Sequence, residues 1–395
     1  MPEREVVIVS AARTPIGKYG GSLKDLSPTD LAAAVVRESI LRAAIKPEQV
    51  GHVVMGNVIH TEPKDMYFSR VAAIRGGCAI ETPALTVNRL CGSGMQAIVS
   101  AAQMIELGEI DCAIAGGGES MSRGQYWIGG LRWGQRMNNA AVVDAMVGAI
   151  TDPFDDVHMG VTAENVAKKW NITREDQDAF AFHSQRKAVD AIKNCVFKAQ
   201  IVPIELKTKA GTTVFDTDEQ PRGDVTLESL AKLKPAFDKN GTVTVGNASS
   251  INDGAAALVL MERTAAERED LHPMARLVGY AVAAVEPRYM GIGPVPAVRK
   301  VLARTGLTID DLDIIEGNEA FAAQALAVAR ELEFPSERTN PYGGAIALGH
   351  PIGASGAILA VKAVYALQQT QTRYALVTMC IGGGQGIAAI FEGLN

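Results

Sequence analysis

Residues 88–95 place a cysteine where a thiol can react. The apolar run 84–87 predicts a strand before it, and the spacing of apolar residues from 95 to 105 predicts a helix after it. Cys91 is therefore predicted at a strand-to-helix turn, where unpaired backbone N–H groups and the helix dipole favour a thiolate. A thiolate at such a turn is suited to act as a nucleophile.

Two other interpretations of this segment stay open at this point. A single cysteine in apolar surroundings is often a small buried hydrophobic residue. The glycines also fit a loose dinucleotide-binding pattern, Gly92-x-Gly94-x-x-Ala97. That pattern expects an acidic residue at the end of the next strand, whereas Asp111 precedes one.

Composition limits the class of protein. The chain has 395 residues, so two or three compact units are expected, and its net charge of −6 argues against nucleic-acid binding. No Cys-x-x-Cys pair occurs and no histidine spacing completes a zinc site, so no metal is predicted. The dispersed cysteines indicate reduced thiols; they are Cys78, Cys91, Cys112, Cys195 and Cys380.

The apolar runs are too short for a membrane segment. None approaches 18 residues, and the first ten residues resemble neither a signal peptide nor a transit peptide. We therefore expect a cytoplasmic protein without a membrane partner.

Apolar periodicity predicts helices that alternate with buried strands, which indicates an α/β fold. Strands are expected at 6–10, 52–58, 111–115 and 255–261, and helices at 31–44 and 173–197. The strand 111–115 is predicted to end in the glycines 116–118. Thr173 and Asp176 are the expected caps of the long helix, and its expected apolar face comprises Ala179, Phe182, Val189 and Ile192.

Three segments recur in the same order about 260 residues later, which indicates an internal duplication. The predicted domains are a first half of residues 1–120 plus 251–272, an inserted loop domain of residues 121–250, and a second half of residues 273–395. Two such halves would bring their equivalent loops together across one crevice. Those loops carry Cys91, Asn318, His350 and Cys380.

Four motifs can be considered together: Asn88-Arg-Leu-Cys91-Gly-Ser-Gly, Asn318-Glu-Ala-Phe-Ala, Gly349-His350-Pro-Ile-Gly-Ala-Ser-Gly356 and Cys380-Ile-Gly-Gly-Gly384-Gln-Gly386. In this order and spacing they resemble the thiolase family of acyl-CoA acyltransferases, most of all its bacterial β-ketothiolases. The resemblance covers essentially the whole chain. It implies a layered αβαβα sandwich of two duplicated halves with an inserted loop domain.

The resemblance also implies roles for the motif residues in thiolysis of 3-ketoacyl-CoA and in the reverse condensation. Cys91 matches the nucleophile that carries the acyl group, and His350 matches its base, since a histidine pKa lies near working pH. Cys380 matches the second acid/base. One oxyanion site would use His350 Nε2 with a water held by Asn318, and the other the N–H groups of Cys91 and Gly382.

Coenzyme A is expected as a substrate against the inserted domain, with no metal or organic cofactor. By motif match its contacts are Arg222 and Ser249, and its path is lined by His158, Met159, Leu233 and Phe237; Met290 matches an acyl-pocket position. The implied partners are acetyl-CoA, acetoacetyl-CoA or other 3-ketoacyl-CoAs, in fatty acid metabolism. The implied assembly is a homotetramer, a dimer of dimers, for which residues 125–136 form a plausible assembly loop.

Three other functions are compatible with parts of this pattern. A β-ketoacyl synthase-type condensing enzyme shares the fold and nucleophile but would carry a second catalytic histidine where this chain has Cys380. A non-catalytic acyl-CoA binding protein would bind CoA without turnover. A hydrolytic thioesterase would need water access to the acyl-enzyme.

Overall fold

Buried strands of both halves join in one large sheet. The structure is a computed structural model and describes residues 4–208 and 211–394. Its strands and helices are β1 (Val6–Arg13), β2 (Gly17–Lys18), α1 (Pro28–Ala43), β3 (His52–Gly56), α2 (Phe68–Gly76), β4 (Ala84–Val87), α3 (Ser93–Glu106), β5 (Cys112–Ser120), β6 (Tyr126–Ile128), β7 (Val142–Asp144), α4 (Ala145–Ala149), α5 (Met159–Lys169), α6 (Arg174–Lys193), β8 (Ile204–Thr208), β9 (Gly211–Phe215), α7 (Leu227–Ala231), β10 (Asn252–Glu262), α8 (Arg263–Arg268), β11 (Ala275–Ala284), α9 (Pro294–Thr305), β12 (Ile314–Gly317), α10 (Ala322–Leu332), α11 (Ala345–Leu348), α12 (Ile352–Thr370), β13 (Tyr374–Ile381) and β14 (Gln385–Gly393).

The sheet has the strand order β12-β13-β14-β11-β1-β10-β5-β3-β4, with β2 beside β10. Outward from its centre, one side has β1, β10, β5, β3 and β4, and the other has β11, β14, β13 and β12. The two sides are joined by β1 and β11 through two residue pairs, Val7 with Arg276 and Ile8 with Ala275. The four strands nearest the centre have the same order and directions on both sides, which confirms the predicted duplication; β4 extends the first side.

The register of the strands repeats as well. In the first half β3 pairs in parallel with β5, and Val53 lies opposite Ile114, 61 residues later. In the second half β12 pairs in parallel with β13, and Ile314 lies opposite Ala375, again 61 residues later. Residues 261 positions apart, such as Asn57 and Asn318, therefore occupy equivalent places.

The two sides of the sheet act as two separate layers with helices outside and between them, so the fold has the five layers predicted. Helices α1 and α2 cover the outer face of the first half, and α9 and α10 cover that of the second. Helices α3 and α12 lie between the two halves, and α12 contacts strands of both. The backbones of α3 and α12 approach closely at Gly94, which has no side chain. A Cβ there would lie only 2.7 Å from the backbone nitrogen of Ala357.

Two local predictions need correction. The glycines 116–118 do not end a strand; they lie inside β5, fully buried, because neighbouring backbone leaves no room for a Cβ at Gly116 or Gly117. The glycines 382–384 instead form the turn from β13 to β14, so the two glycine runs are not equivalent.

The long helix α6 begins as predicted but packs through a different face. Thr173 and Asp176 form a capping box at its start. Its buried residues include Ala181, Ala188 and Ala191, whereas the larger predicted residues Phe182 and Val189 are only half-buried. Small side chains at the contact allow a closer approach of helix and core than the pattern of large apolar residues suggested.

The region 121–250 contains more regular structure than the one long helix expected. It holds helices α4 to α7 and two separate hairpins, β6–β7 and β8–β9. Several segments of this region reach the sheet ends where the motifs lie. The domain boundaries themselves stay predictions.

Candidate active site

Cys91 lies in the tight turn between β4 and α3, as the sequence predicted. Leu90 takes a left-handed conformation there, with φ of 45°. The Ser93 hydroxyl closes the turn, because its oxygen accepts from the Arg89 N–H at 2.9 Å and its proton goes to the Leu90 carbonyl at 2.7 Å. The turn directs Cys91 into a pocket between the halves.

The resting state of Cys91 differs from the expectation. Surrounding protein raises the pKa of its thiol to about 11, although the N–H of Gly382 hydrogen-bonds the sulfur and opposes the rise. Burial outweighs the helix N-terminus, so the free protein holds a thiol here rather than a thiolate. A base is needed to make it a nucleophile.

His350 is fixed by hydrogen bonds on two sides. Its backbone N–H donates to Asn252 Oδ1 at 2.9 Å, and its Nδ1 lies 2.6 Å from the Ser355 hydroxyl. That hydroxyl donates its single proton to the carbonyl of Pro351 at 2.9 Å. It must therefore accept from Nδ1–H, which leaves Nε2 as the basic nitrogen. Nε2 is buried and has no partner among the described residues.

The pKa of His350 also departs from expectation. Burial lowers it to about 4, rather than leaving it near working pH. The imidazole is therefore neutral at physiological pH and able to accept a proton.

Cys380 and Gly382 enter the pocket from the end of β13 and the turn after it. Cys380 is buried, and both burial and the neighbouring Cys91 raise the pKa of its thiol. A larger residue would not fit at Gly382, since a Cβ there would lie 2.8 Å from Met159 Cε. Its bare N–H is therefore free to face the Cys91 sulfur.

The pocket has a volume of about 200 Å³ and brings together nine of the twelve predicted site residues. Those nine are Cys91, His158, Met159, Phe237, Ser249, Met290, His350, Cys380 and Gly382. Its remaining walls are mainly apolar and were not predicted as site residues; they are Met121, Ala149, Ile150, Ala248, Ser250, Ile251, Ala320, Phe321 and Ile352. The arrangement suits a thiol-bound group with an apolar tail.

Three predicted residues do not line this pocket. Asn318 is buried behind it, where it borders a separate cavity of about 20 Å³ beside Ser355. The Asn318 Nδ2 has no hydrogen-bond partner among the described residues. Arg222 is exposed on the inserted region, and Leu233 is half-buried in a small apolar cluster near Leu230.

His158 has a structural role whatever else it does. Its Nδ1 accepts from the Gly160 N–H at 3.0 Å, so the ring caps α5, and the ring stacks on Phe237 at 4.5 Å. Burial lowers the pKa of His158, which keeps the ring neutral as the cap requires.

Sequence reasoning missed the residues that hold His350. Ser355 stands inside the quoted histidine motif, and its spacing of five residues was the available signal. Asn252 lies just before the predicted strand 255–261, outside the four motifs, and offered no such signal. Ile150 and Ile352 were not distinguishable from ordinary core residues.

The other cysteines lie away from this pocket. Cys78 and Cys112 pack in the outer core of the first half, and Cys195 is exposed. None of the five is in a disulfide. Within residues 4–208 and 211–394, no group of three or more histidine, cysteine or acidic side chains could hold a metal ion. In the same part of the chain no helix is long and apolar enough to cross a bilayer.

Fold and site together define a thiolase. The family model for the thiolase N-terminal domain matches residues 6–264, and that for the C-terminal domain matches residues 271–393. The chain therefore belongs to the thiolase family. This membership, with Cys380 in the pocket, removes the β-ketoacyl synthase interpretation.

Relatives match over nearly their full length. The chain is 60% identical to beta-ketothiolase BktB of Cupriavidus necator, covering 98% of this chain and 99% of that protein. It is 49% identical to acetyl-CoA acetyltransferase of Escherichia coli, covering 99% and 100%.

Two solved structures share the fold closely. The acetyl-CoA acetyltransferase of Bacillus anthracis superposes with a TM-score of 0.97 at 44% identity, covering 99% of each chain. Human mitochondrial 3-ketoacyl-CoA thiolase in complex with CoA gives 0.96 at 42% identity, covering 99% of this chain and 98% of that one.

Proposed function

We propose that this chain is a β-ketothiolase, an acyl-CoA C-acyltransferase that cleaves 3-ketoacyl-CoA with CoA and runs the reverse condensation. The observation that carries this proposal is the convergence of Cys91, His350 and Cys380 on one pocket, with the Gly382 N–H on the Cys91 sulfur. Acyl transfer in two half-reactions needs one nucleophile and two proton-handling groups.

In the first half-reaction His350 Nε2 takes the proton of Cys91, and the sulfur attacks the 3-keto carbon of the substrate. The Cα–Cβ bond breaks, and its electron pair goes to the α-carbon as an enolate. Cys380 gives its proton to that carbon, which releases acetyl-CoA and leaves an acyl group on Cys91.

In the second half-reaction the Cys380 thiolate takes the proton of an incoming CoA thiol. The CoA sulfur attacks the acyl carbon, and the bond to Cys91 breaks. His350 returns its proton to the Cys91 sulfur. Both cysteines and the histidine end in the neutral forms that their burial favours in the free protein.

Two oxyanion sites complete this proposal. The N–H groups of Cys91 and Gly382 would stabilise the charge on the acyl oxygen, since bare backbone donors lie at the thiol. The protonated Nε2 of His350, with a water held by Asn318, would stabilise the enolate oxygen. The partnerless Nδ2 of Asn318 is the donor available for that water.

The proposed path of CoA runs from the inserted region to the thiols. His158, Met159, Phe237 and Ser249 line the pocket on this side. Arg222 lies farther out and is exposed, so we assign its guanidinium to a phosphate or to the adenine of CoA. Leu233 would border the pantetheine between them. Met290 would line the acyl pocket.

Further properties belong to the same proposal. The substrates are acetyl-CoA, acetoacetyl-CoA and other 3-ketoacyl-CoAs in fatty acid metabolism, and no metal or organic cofactor is required. The protein acts in the cytoplasm as a homotetramer. The proposed assembly segment is residues 125–136, which belong to the β6–β7 hairpin and expose Trp127, Leu131 and Trp133.

Intact-protein mass spectrometry after mixing with acetoacetyl-CoA tests this function. The expected result is an acetyl adduct that maps to Cys91 and disappears when free CoA is added. The variant Cys91→Ala should form no adduct, and Cys195→Ala, which changes an exposed cysteine outside the pocket, should behave like the wild type. A chain with neither adduct nor turnover on short and long 3-ketoacyl-CoAs would refute the proposal.

A further inference from the structure

Two buried residues of the first half, Asn57 and Glu119, occupy the places that Asn318 and Cys380 occupy in the second. Asn57 follows β3 and Glu119 lies near the end of β5, while Asn318 follows β12 and Cys380 lies near the end of β13. The parallel registers of the two halves agree, and the residues of each pair are 62 positions apart. Of these four residues, Cys380 lines the pocket, Asn318 is buried behind it, and Asn57 and Glu119 do not line it.

The first-half version is a closed hydrogen-bond cluster. Glu119 is fully buried. Its Oε1 accepts from Asn57 Nδ2 and from the Ile59 N–H, each at 3.0 Å. Its Oε2 accepts from the N–H groups of Val58 at 3.1 Å and Gly353 at 2.8 Å. All four partners are donors, so the geometry fits a carboxylate.

The contact with Gly353 supplies a cap that α12 otherwise lacks. The cap residue of α12 is Pro351, which has no side-chain acceptor for the first N–H groups of the helix. Glu119 reaches the Gly353 N–H from the other half of the molecule. A Cβ at Gly353 would lie 2.6 Å from Oε2 of Glu119 and 3.0 Å from Asn57 Cα, so a larger residue would push the carboxylate away.

The start of α12 also fixes the His350 ring. His350 immediately precedes Pro351, and its Nδ1 is bonded to Ser355 in the first turn of the helix. Ile352, between them, lines the pocket. A displacement of the turn would therefore move the His350 ring relative to Cys91.

We propose that Glu119 is a positioning residue for thiolysis: it caps α12 across the two halves and fixes the turn that carries His350. This inference rests on the proposed function, because it concerns the same pocket. In this duplicated chain the second-half pair contributes to the chemistry, and the first-half pair aligns it.

Burial and a neighbouring carboxyl group affect the ionisation of Glu119. Burial raises the pKa of Glu119 to about 8, and the nearby Asp65 adds to the rise. Above about pH 8 Glu119 is ionised, and over that range its carboxylate raises the pKa of Cys91, whose pocket neighbours include His350 and Cys380. Loss of the charge at Glu119 should therefore ease ionisation of Cys91, so slower turnover in such a variant would reflect misplacement rather than a weaker nucleophile.

The test compares Glu119→Gln with Glu262→Gln, which changes a carboxylate that caps α8 at the far end of β10. In Glu119→Gln one of the two acceptor oxygens is replaced by an NH₂ group that faces N–H donors, so the cluster loses hydrogen bonds and its hold on the start of α12 weakens. We expect kcat to fall about tenfold to a hundredfold, as for misplaced catalytic groups, with KM for CoA unchanged. The pH profile of the rate at which iodoacetamide alkylates Cys91 should shift to lower pH. Glu262→Gln should keep the wild-type kcat and the wild-type alkylation profile.

A double-mutant cycle separates positioning from general destabilisation. In a His350→Ala background, Glu119→Gln should lower the residual rate of Cys91 acylation by less than about twofold, because its effect acts through His350. An undiminished loss in that background would overturn the inference. If Glu119→Gln does not fold, Gly353→Ala takes its place, since it separates the same groups and is expected to lower kcat similarly.

The two proposals fail in distinguishable ways. A wild-type chain without thiolysis would refute the proposed function. An active wild type, with folded Glu119→Gln or Gly353→Ala variants whose kcat is within about twofold of it, would refute only the role of Glu119.

Discussion

At the residue scale, burial sets the resting chemistry of this site. It raises the pKa of Cys91 to about 11 and lowers that of His350 to about 4, so both are neutral in the free protein. A neutral thiol and a neutral imidazole form no ion pair in the free protein. The raised pKa of Cys91 disfavours its oxidation and alkylation at neutral pH, because both require the thiolate.

The pH dependence of the reaction follows from these shifts. Because the pKa of His350 is lowered, the base stays unprotonated as the pH falls through 6.5, and kcat/KM for acetoacetyl-CoA should decline only as the pH approaches about 4. In the free protein the rate of Cys91 alkylation by iodoacetamide should rise with pH up to about 11. Circular dichroism at each pH serves as the folding control. An acid limb near pH 6.5 would contradict the assignment.

The role of Cys380 can be separated from that of Cys91. Cys380→Ala removes the proton donor for the α-carbon but leaves the first nucleophile and its base in place. We expect acetyl-CoA still to acylate Cys91, while steady-state thiolysis falls by about 10²–10⁴-fold, the usual contribution of a general acid/base. Mass spectrometry measures the adduct and a coupled assay the turnover. Normal turnover would exclude the acid/base role of Cys380.

At the element scale, the two central helices bring the motifs together. The turn before α3 carries Cys91 and the turn before α12 carries His350, and glycines at the helix contact allow the backbones to approach. A Cβ at Gly356 would collide with the backbone nitrogen of Met95 and lie 2.8 Å from its Cβ. The distance between Cys91 and His350 therefore depends on small residues outside the pocket.

Gly356→Ala tests this dependence. Forcing the helices apart should lower the free energy of unfolding by about 1–3 kcal/mol, as other overpacked cores do, and should reduce kcat as well. Thermal melting and steady-state kinetics measure the two effects. Gly129→Ala is the matched control, because nothing lies within 4 Å of a Cβ there. Equal melting temperatures for the two variants would show that α3 and α12 tolerate a wider spacing.

At the scale of the whole molecule, the pocket exists only because two similar halves and an inserted region meet. The first half contributes Cys91, the second contributes His350 and Cys380, and the inserted region closes one side with Phe237 and Met159. Neither half alone brings all three reacting groups together. The duplication has thus produced one site from two similar scaffolds.

The assembly prediction belongs to this scale. The β6–β7 hairpin exposes large apolar side chains, and Trp133 is 85% exposed. Contact with another subunit would remove these side chains from water. The double variant Trp127→Ser/Trp133→Ser should reduce the molar mass measured by light scattering from that of a tetramer to that of a dimer. Leu107→Ser, which changes a 71% exposed leucine outside the hairpin, is the control. An unchanged mass in the hairpin variant would remove this segment from the interface.

The sequence predicted the positions of the main strands and helices because apolar periodicity and capping residues are local signals. The capping box at Thr173 and the turn at Cys91 are examples. It did not predict the buried face of α6 or the location of the glycines 116–118 inside β5. Those depend on what packs against each element, which residues from distant parts of the chain supply.

By itself the sequence determined the chemical groups of this protein: two cysteines, a histidine and glycine turns in motifs whose order defines the thiolase family. The tertiary structure decided their state and their supports. Whether Cys91 is a thiol or a thiolate, and which nitrogen of His350 is basic, depends on burial and on Ser355. Burial and hydrogen bonding arise from groups distant in sequence, so no local pattern of residues encodes them.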